Sequence, residues 1–326
     1  MMIGLEPVKR FIILLIFSSY VKNEEPVSGL IIAEPEHGKT KLLKSIRAKR
    51  VEVIMDATAY GISQHLLPRI FYKEVRTLIF PDFLRILSRG KRIVDEILTL
   101  INAIIEDGID ASILTKNIQW IPPSSESVKA NVIIAITPNE LEKRKEKLRR
   151  YGFMRRVLPF YYTYTQEDLK LIHEALKTGT SNQIFEKIEL KVPNEDGEIY
   201  MSKELADMLD PVIEILKPVI GAYTGFTLRR QLQCLCKANA LMNNRTKVTE
   251  DDIKEILAFV PFLFNPIAGD ECIWLIMRNL PARSEELVSI LSNRFSRRTI
   301  YDRLEKLRNL GLIYKAKDLW KSILFN

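Results

Sequence analysis

The segment SGLIIAEPEHGKTKLLKSI, residues 28–46, does most to limit what this chain can fold into. A short apolar run that reads as a strand leads into AEPEHGKT (33–40), and a stretch that reads as a helix follows. The eight residues fit the phosphate-loop spacing, with Gly38, Lys39 and Thr40 in place and Ala33 where glycine is commoner. Such a loop turns successive backbone N–H groups toward phosphates, while its lysine neutralises the β/γ charge and its hydroxyl binds Mg²⁺. The candidate phosphate-binding residues are therefore Ala33, Glu34, Pro35, Glu36, His37, Gly38, Lys39, Thr40 and Lys41. Glu34, Pro35 and Glu36 make the loop stiffer and more acidic than usual.

A phosphate loop needs a sheet, and the sequence supplies one. Five short runs rich in branched residues recur: SGLIIAE (28–34), VEVIMDA (51–57), RTLIFPD (76–82), NVIIAIT (131–137) and RVLPFYYTY (156–164). Apolar runs separated by helical patterns indicate a parallel sheet covered on both faces. The expected α/β core covers residues 1–165. From Gln166 the strands give way to helical patterns, marking a helical domain over 166–262, and a third pattern fills 263–326. Within the helical stretch, Thr249 and Asp252 make a capping-box start, and LKVPNEDGEIY reads as a loop or hairpin.

Asp82 closes the third run where a Mg²⁺-binding acid belongs, so Thr40 and Asp82 are the candidate metal residues. Pro81 implies that the strand ends or bends there. The residue after the acid, Phe83, stands where a water-polarising glutamate is usual in ring-forming ATPases, and Glu36 and Glu140 are the substitutes within reach along the chain. Thr137 or Asn139 at the end of the fourth run could contact the γ-phosphate or the attacking water, or simply cap the turn at Pro138. Two arginines precede the fifth run; spacing favours Arg156 over Arg155 as the one projecting to a neighbouring subunit's nucleotide, against a plain basic turn.

With 326 residues and 47% hydrophobic content the chain can bury a sizeable core. Its 49 Lys and Arg against 41 Asp and Glu, net +8, permit a polyanionic partner. Cys234 and Cys236 point about 200° apart on a helix and cannot easily bridge, which fits a reducing cytoplasm. FIILLIFSSYV (11–21) imitates a signal segment but falls short of the ~20 residues of a membrane span, and a buried helix is expected there. His37, His65 and His173 have no metal-ligand spacing.

The positive excess concentrates at the end. From Arg294 to Lys321 there are nine Lys and Arg against three acids. SEELVSILSNRFSRRTIYDRLEKLRNLGLIYKA reads as helix, turn and amphipathic helix, with Ile300, Leu304 and Leu307 on one face and a strand after Gly311. It resembles a winged helix-turn-helix, whose second helix enters the DNA major groove. Arg294, Arg297, Arg298, Thr299, Arg303 and Lys315 are the candidate DNA contacts; a solvated basic face or a protein-binding winged helix is the bland alternative.

The order of phosphate loop, acid strand, polar strand end, arginine pair, helical segment and C-terminal helical module resembles the AAA+ ATPases. Within them it is most similar to minichromosome-maintenance helicases and related replication or recombination ATPases with a C-terminal winged helix. IGLEPVKRFIILLIF resembles the helix leading into their core, and RRQLQCLCKANALMNNRTKVTEDDI their lid. That likeness implies ATP and Mg²⁺ as cofactors, Arg230 as the lid arginine on the nucleotide, and a homo-oligomeric ring or filament working on DNA, away from membranes. The chain departs from the pattern at Ala33, at Phe83 and in lacking an oligonucleotide-binding domain before the core, so a self-sufficient helicase is not expected. A slow DNA-linked ATPase is the leading expectation. Its rivals are a non-hydrolysing, ATP-switched DNA-binding regulator and a protein remodeller that uses the winged helix for interaction.

Overall fold

The computed structural model describes residues 3–115, 118–178, 187–220, 224–263, 271–309 and 312–322. All five apolar runs form strands of one parallel sheet: β1 (Ser28–Ile32), β2 (Val51–Val53), β3 (Thr77–Phe80), β4 (Asn131–Ile136) and β5 (Val157–Tyr161). Their order is β2-β3-β4-β1-β5. β3 stops before Pro81, which has no N–H to continue the ladder. Every residue of β1 and β4 is buried, as expected of central strands covered on both sides.

Because side chains alternate along a strand, the sheet feeds two cores. Ile31, Ile79, Ile133, Ala135 and Phe160 belong to one, whereas Leu30, Ile32, Phe80, Ile134 and Ile136 belong to the other. The first face is covered by α1 (Glu6–Ser18), the buried helix foreseen in the N-terminal apolar run, and by α2 (Lys39–Ser45). The second is covered by the helical segment 59–71, α3 (Lys91–Asn102) and α4 (Pro138–Arg150). Among the described residues no helix is long and apolar enough to cross a membrane.

Beyond the sheet come α5 (Gln166–Lys177), α6 (Asp210–Ile220), α7 (Phe226–Met242) and α8 (Glu250–Ala258). The expected capping box opens α8, with Thr249 N–H donating to Asp252 at 2.8 Å. Asp252 is fully buried, and Asn239 and Arg245 satisfy its carboxylate. α7 packs along α1, where Arg10 bonds Glu255 at 2.7 Å and Asn239 at 2.9 Å. Of LKVPNEDGEIY, only Leu190 is in a strand, Ile188–Leu190, which pairs in parallel with Ile46–Ala48.

The C-terminal segment contains α9 (Glu271–Arg278), α10 (Ser284–Leu291), α11 (Arg297–Asn309) and an antiparallel sheet of Ala282–Arg283, Leu319–Ser322 and Ile313–Ala316, in that spatial order. Ile300, Leu304 and Leu307 of α11 are buried, as their spacing demands. Lys317 and Asp318 make the two-residue turn, Lys317 at φ +56°. The first core continues from the sheet through Leu232 and Ile256 to Leu287, Leu304 and Trp320. The divisions at 165/166 and 262/263 therefore fall within one continuous apolar cluster.

Candidate nucleotide-binding site

The carboxyl ends of β1, β3, β4 and β5 converge on the phosphate loop. Gly38, at φ +75°, turns the chain into α2 through a left-handed conformation that glycine adopts without a Cβ clash. Lys39 is buried and folds back on its own loop, donating to the carbonyls of Ala33 and Glu34 at 2.6 Å each. Burial lowers its pKa to about 8, opposed by the nearby charges of Glu34 and Asp82. Thr40 Oγ1 donates to Pro81 O at 3.2 Å, which ties the loop to the residue preceding Asp82. Asp82 is partly exposed, and Arg85 Nε donates to its carboxylate at 3.1 Å.

β4 lies between β1 and β3, so the chain leaving β4 emerges between the loop and Asp82. The N–H of Ala33 reaches Ile136 O at 3.4 Å, which puts Thr137 beside the loop. Thr137 precedes α4, yet its hydroxyl makes no cap hydrogen bond. Asn139 is exposed on the first turn of α4. Of the two, Thr137 is the better placed toward the loop.

The structure also places Phe83, Glu140, Arg156 and Arg230. Phe83 does not face the site: it is 1% exposed, 5.8 Å from the Phe80 ring and stacked on Phe153 at 6.3 Å. The position serves the second core rather than water activation. Glu140 is held on its own helix by Arg144 and by Lys143 at 3.2 Å. Arg156 does not project outward. Its guanidinium pairs with Glu106 and donates to Tyr151 O at 3.1 Å, leaving only 12% of the side chain exposed, whereas Arg155 is exposed. Arg230 lies 3.9 Å from Glu25, which precedes β1, so the five residues of that strand, about 17 Å, separate it from the phosphate loop. Neighbouring contacts keep the start of α7 at that far edge, since Gln231 donates to Arg156 O at 3.2 Å.

Pattern reading missed the residues that follow β5. Tyr162 O–H donates to His37 O at 2.7 Å, His37 Nε2 lies 3.2 Å from Thr163 Oγ1, and the His37 ring stacks on Tyr164 at 4.8 Å. Only the aromatic composition of FYYTY could have drawn attention to them.

At the other end of the chain, Ser296 Oγ accepts from Thr299 N–H at 3.1 Å and so caps α11. Arg294, Arg297, Arg298 and Lys315 are exposed, while Thr299 and Arg303 are half-buried. Arg297 lies 5.7 Å from the Tyr301 ring and Lys315 5.7 Å from the Trp320 ring. Aromatic faces thus support a cation on the helix and another on the hairpin.

A scan against protein-family models finds no match to the chain. Translation initiation factor IF-2 of Helicobacter pylori, in several strains, is 30% identical to it over 129 residues. That stretch is 38% of this chain, which spans 12% of the length of the factor. The loop and sheet are compatible with a phosphate-loop nucleotide-binding core, and the partial likeness adds nothing narrower.

Proposed function

We propose that the chain binds ATP with Mg²⁺ in the manner of an AAA+ protein, acts on DNA through its C-terminal module, and hydrolyses ATP slowly. One observation carries the nucleotide reading: the Thr40–Pro81 hydrogen bond holds a loop hydroxyl beside Asp82, next to the buried Lys39. A hydroxyl and a carboxylate are the hard oxygen donors that Mg²⁺ prefers, so the residues fit the ion. When bound, Mg²⁺ would neutralise charge on the β- and γ-phosphates.

Binding would exchange the partners of these side chains. Lys39 would leave the carbonyls of Ala33 and Glu34 for the phosphates, Thr40 would release Pro81, and Asp82 would give up Arg85 so that Thr40 and Asp82 could hold the ion. Thr137, with its hydroxyl not spent on capping, would orient the γ-phosphate. The AAA+ assignment rests on the strand order and on the order of motifs. The winged-helix reading rests on three helices followed by a hairpin, and DNA on exposed Arg297 and Arg298 at the start of α11, where phosphate contacts are made. A ring or filament would place Arg155, rather than Arg156, toward the neighbouring subunit.

Two observations favour a second reading, an ATP-switched DNA-binding regulator that does not hydrolyse. Phe83 is core, and Arg156 is engaged within its own chain. The test measures ATP binding and turnover with Mg²⁺, with and without DNA, for wild type and Lys39→Ala. Binding lost in a folded Lys39→Ala protein, with DNA-stimulated turnover in wild type, is the expected result. Unchanged binding in the variant would refute the site. Tight binding with no turnover would select the switch.

A further inference from the structure

We propose that Tyr162 and its neighbours Thr163 and Tyr164 latch His37 and thereby set the shape of the phosphate loop, which makes Tyr162 a positioning residue for the nucleotide. The role in binding rests on the reading just given; the latch itself does not.

This loop needs outside support. It bends at two positive-φ positions, and only one of them is glycine. Gly38 turns at φ +75° without strain, but Glu36 is held at φ +66°, in a region that residues with a Cβ avoid. Left to itself, a residue with a Cβ at this position returns to negative φ, which would reshape the loop on either side of it. Such strain persists only where the surroundings impose the conformation.

The surroundings here are three consecutive residues. The Tyr162 hydroxyl donates to His37 O at 2.7 Å, Thr163 Oγ1 meets His37 Nε2 at 3.2 Å, and Tyr164 stacks on the imidazole with 13° between the planes. The other ring nitrogen, Nδ1, lies 3.0 Å from Pro35 O, so the imidazole also braces the opposite side of the bend. The anchor is rigid. Tyr162 is 2% exposed, and its N–H continues the sheet ladder to Ile32 O at 3.0 Å, one residue before the loop begins. Burial also raises the pKa of Tyr162 well above the usual phenol range, keeping its hydroxyl a donor.

Sheet order gives the latch its place. β5 flanks β1 on one side and β4, then β3, on the other. The loop is thus pinned at His37 from the β5 side and at Thr40 from the Asp82 side, and the strained Glu36 lies between Pro35 and His37, which the imidazole ties together. Tyr162 therefore acts through the backbone of His37, away from the metal-binding side.

The experiment compares wild type, Tyr162→Phe, Glu36→Gly and the double variant in the full-length protein. Phenylalanine removes one hydroxyl and keeps the ring packed. Two quantities are read: amide hydrogen exchange in the loop without nucleotide, and affinity for Mg²⁺–ATP. Tyr162→Phe should speed exchange at His37 and Gly38 and weaken ATP binding about fivefold, the effect of one hydrogen bond. Glu36→Gly, which removes the conformational penalty, should restore much of that affinity in the double variant. This rescue separates loop positioning from general destabilisation, which a glycine in the loop would not repair. Unchanged exchange in Tyr162→Phe overturns the latch, as does an equal loss of affinity with and without Glu36→Gly. Faster exchange in a protein that binds no ATP even as wild type would uphold the latch and refute the nucleotide reading.

Discussion

Replacing Phe83 by glutamate is expected to destabilise this protein strongly rather than activate it. The ring is 1% exposed and packs against Phe80 and Phe153, so the substitution forfeits its packing, about 3 kcal/mol. A lone carboxyl in an apolar core stays neutral at pH 7 through a raised pKa. A rise of about 3 units costs a further ~4 kcal/mol relative to the ionised, unfolded side chain. Together these take about 7 kcal/mol from a total stability of about 5–15 kcal/mol. The penalty also has a pH sign. Because the folded state holds the proton more tightly than the unfolded state, the loss is smallest below the ordinary glutamate pKa of about 4.3 and grows as pH rises above it. Thermal melts at pH 5 and pH 8 should show Phe83→Glu destabilised at both and more so at pH 8, with Phe83→Leu losing only about 1.5 kcal/mol at either. A Phe83→Glu protein that melts like wild type and turns over ATP about 100-fold faster would show that this position faces the nucleotide, and the reasoning would fail.

Lys39 gives the loop its own pH dependence. With its pKa lowered to about 8, ATP affinity should fall above that pH as binding takes up one proton, whereas its contribution to stability without nucleotide should rise between about 8 and 10.5, where the unfolded state binds more protons; titrating ATP affinity from pH 7 to pH 9.5 and finding it flat would contradict this. Arg156→Ala should cost about 1–2 kcal/mol in denaturant melts, because it strips Glu106 and Tyr151 O of their partner, whereas Arg155→Ala should leave stability unchanged within about 0.5 kcal/mol. If the chain binds DNA as proposed, replacing Arg297 and Arg298 together by alanine should reduce the slope of log affinity for duplex DNA against log salt by about two; an unchanged slope would refute a contact through these arginines.

Much of the scaffold was legible along the chain. The five strands could be read because runs such as NVIIAIT have no other stable use than burial on both faces, and the loop because Gly38, Lys39 and Thr40 keep a spacing that few other structures require. The N-terminal apolar run was likewise committed to burial, and α1 carries it. The hairpin Ile113–Leu114 with Gln119–Trp120 left no signal, since two-residue strands show no periodicity. The site was half legible. Residue types showed which groups suit phosphate and Mg²⁺, but not which partners hold them. Phe83 follows Asp82 in sequence and yet points into the opposite environment, because the chain turns into the short helix Leu84–Leu87 there.

Arg156 finds Glu106, fifty positions earlier, in the helical turn that follows α3, and Arg230 finds Glu25 because α7 packs along α1. The phosphate loop is held by Pro81 and by Tyr162, from strands far apart in sequence. Local sequence determined the strands, the loop and the capped helices, since spacing and propensity act over a few residues. The tertiary structure alone decided which charges are spent within the chain and which remain for a ligand, because a side chain's partner is set by the order of strands and the crossing of helices.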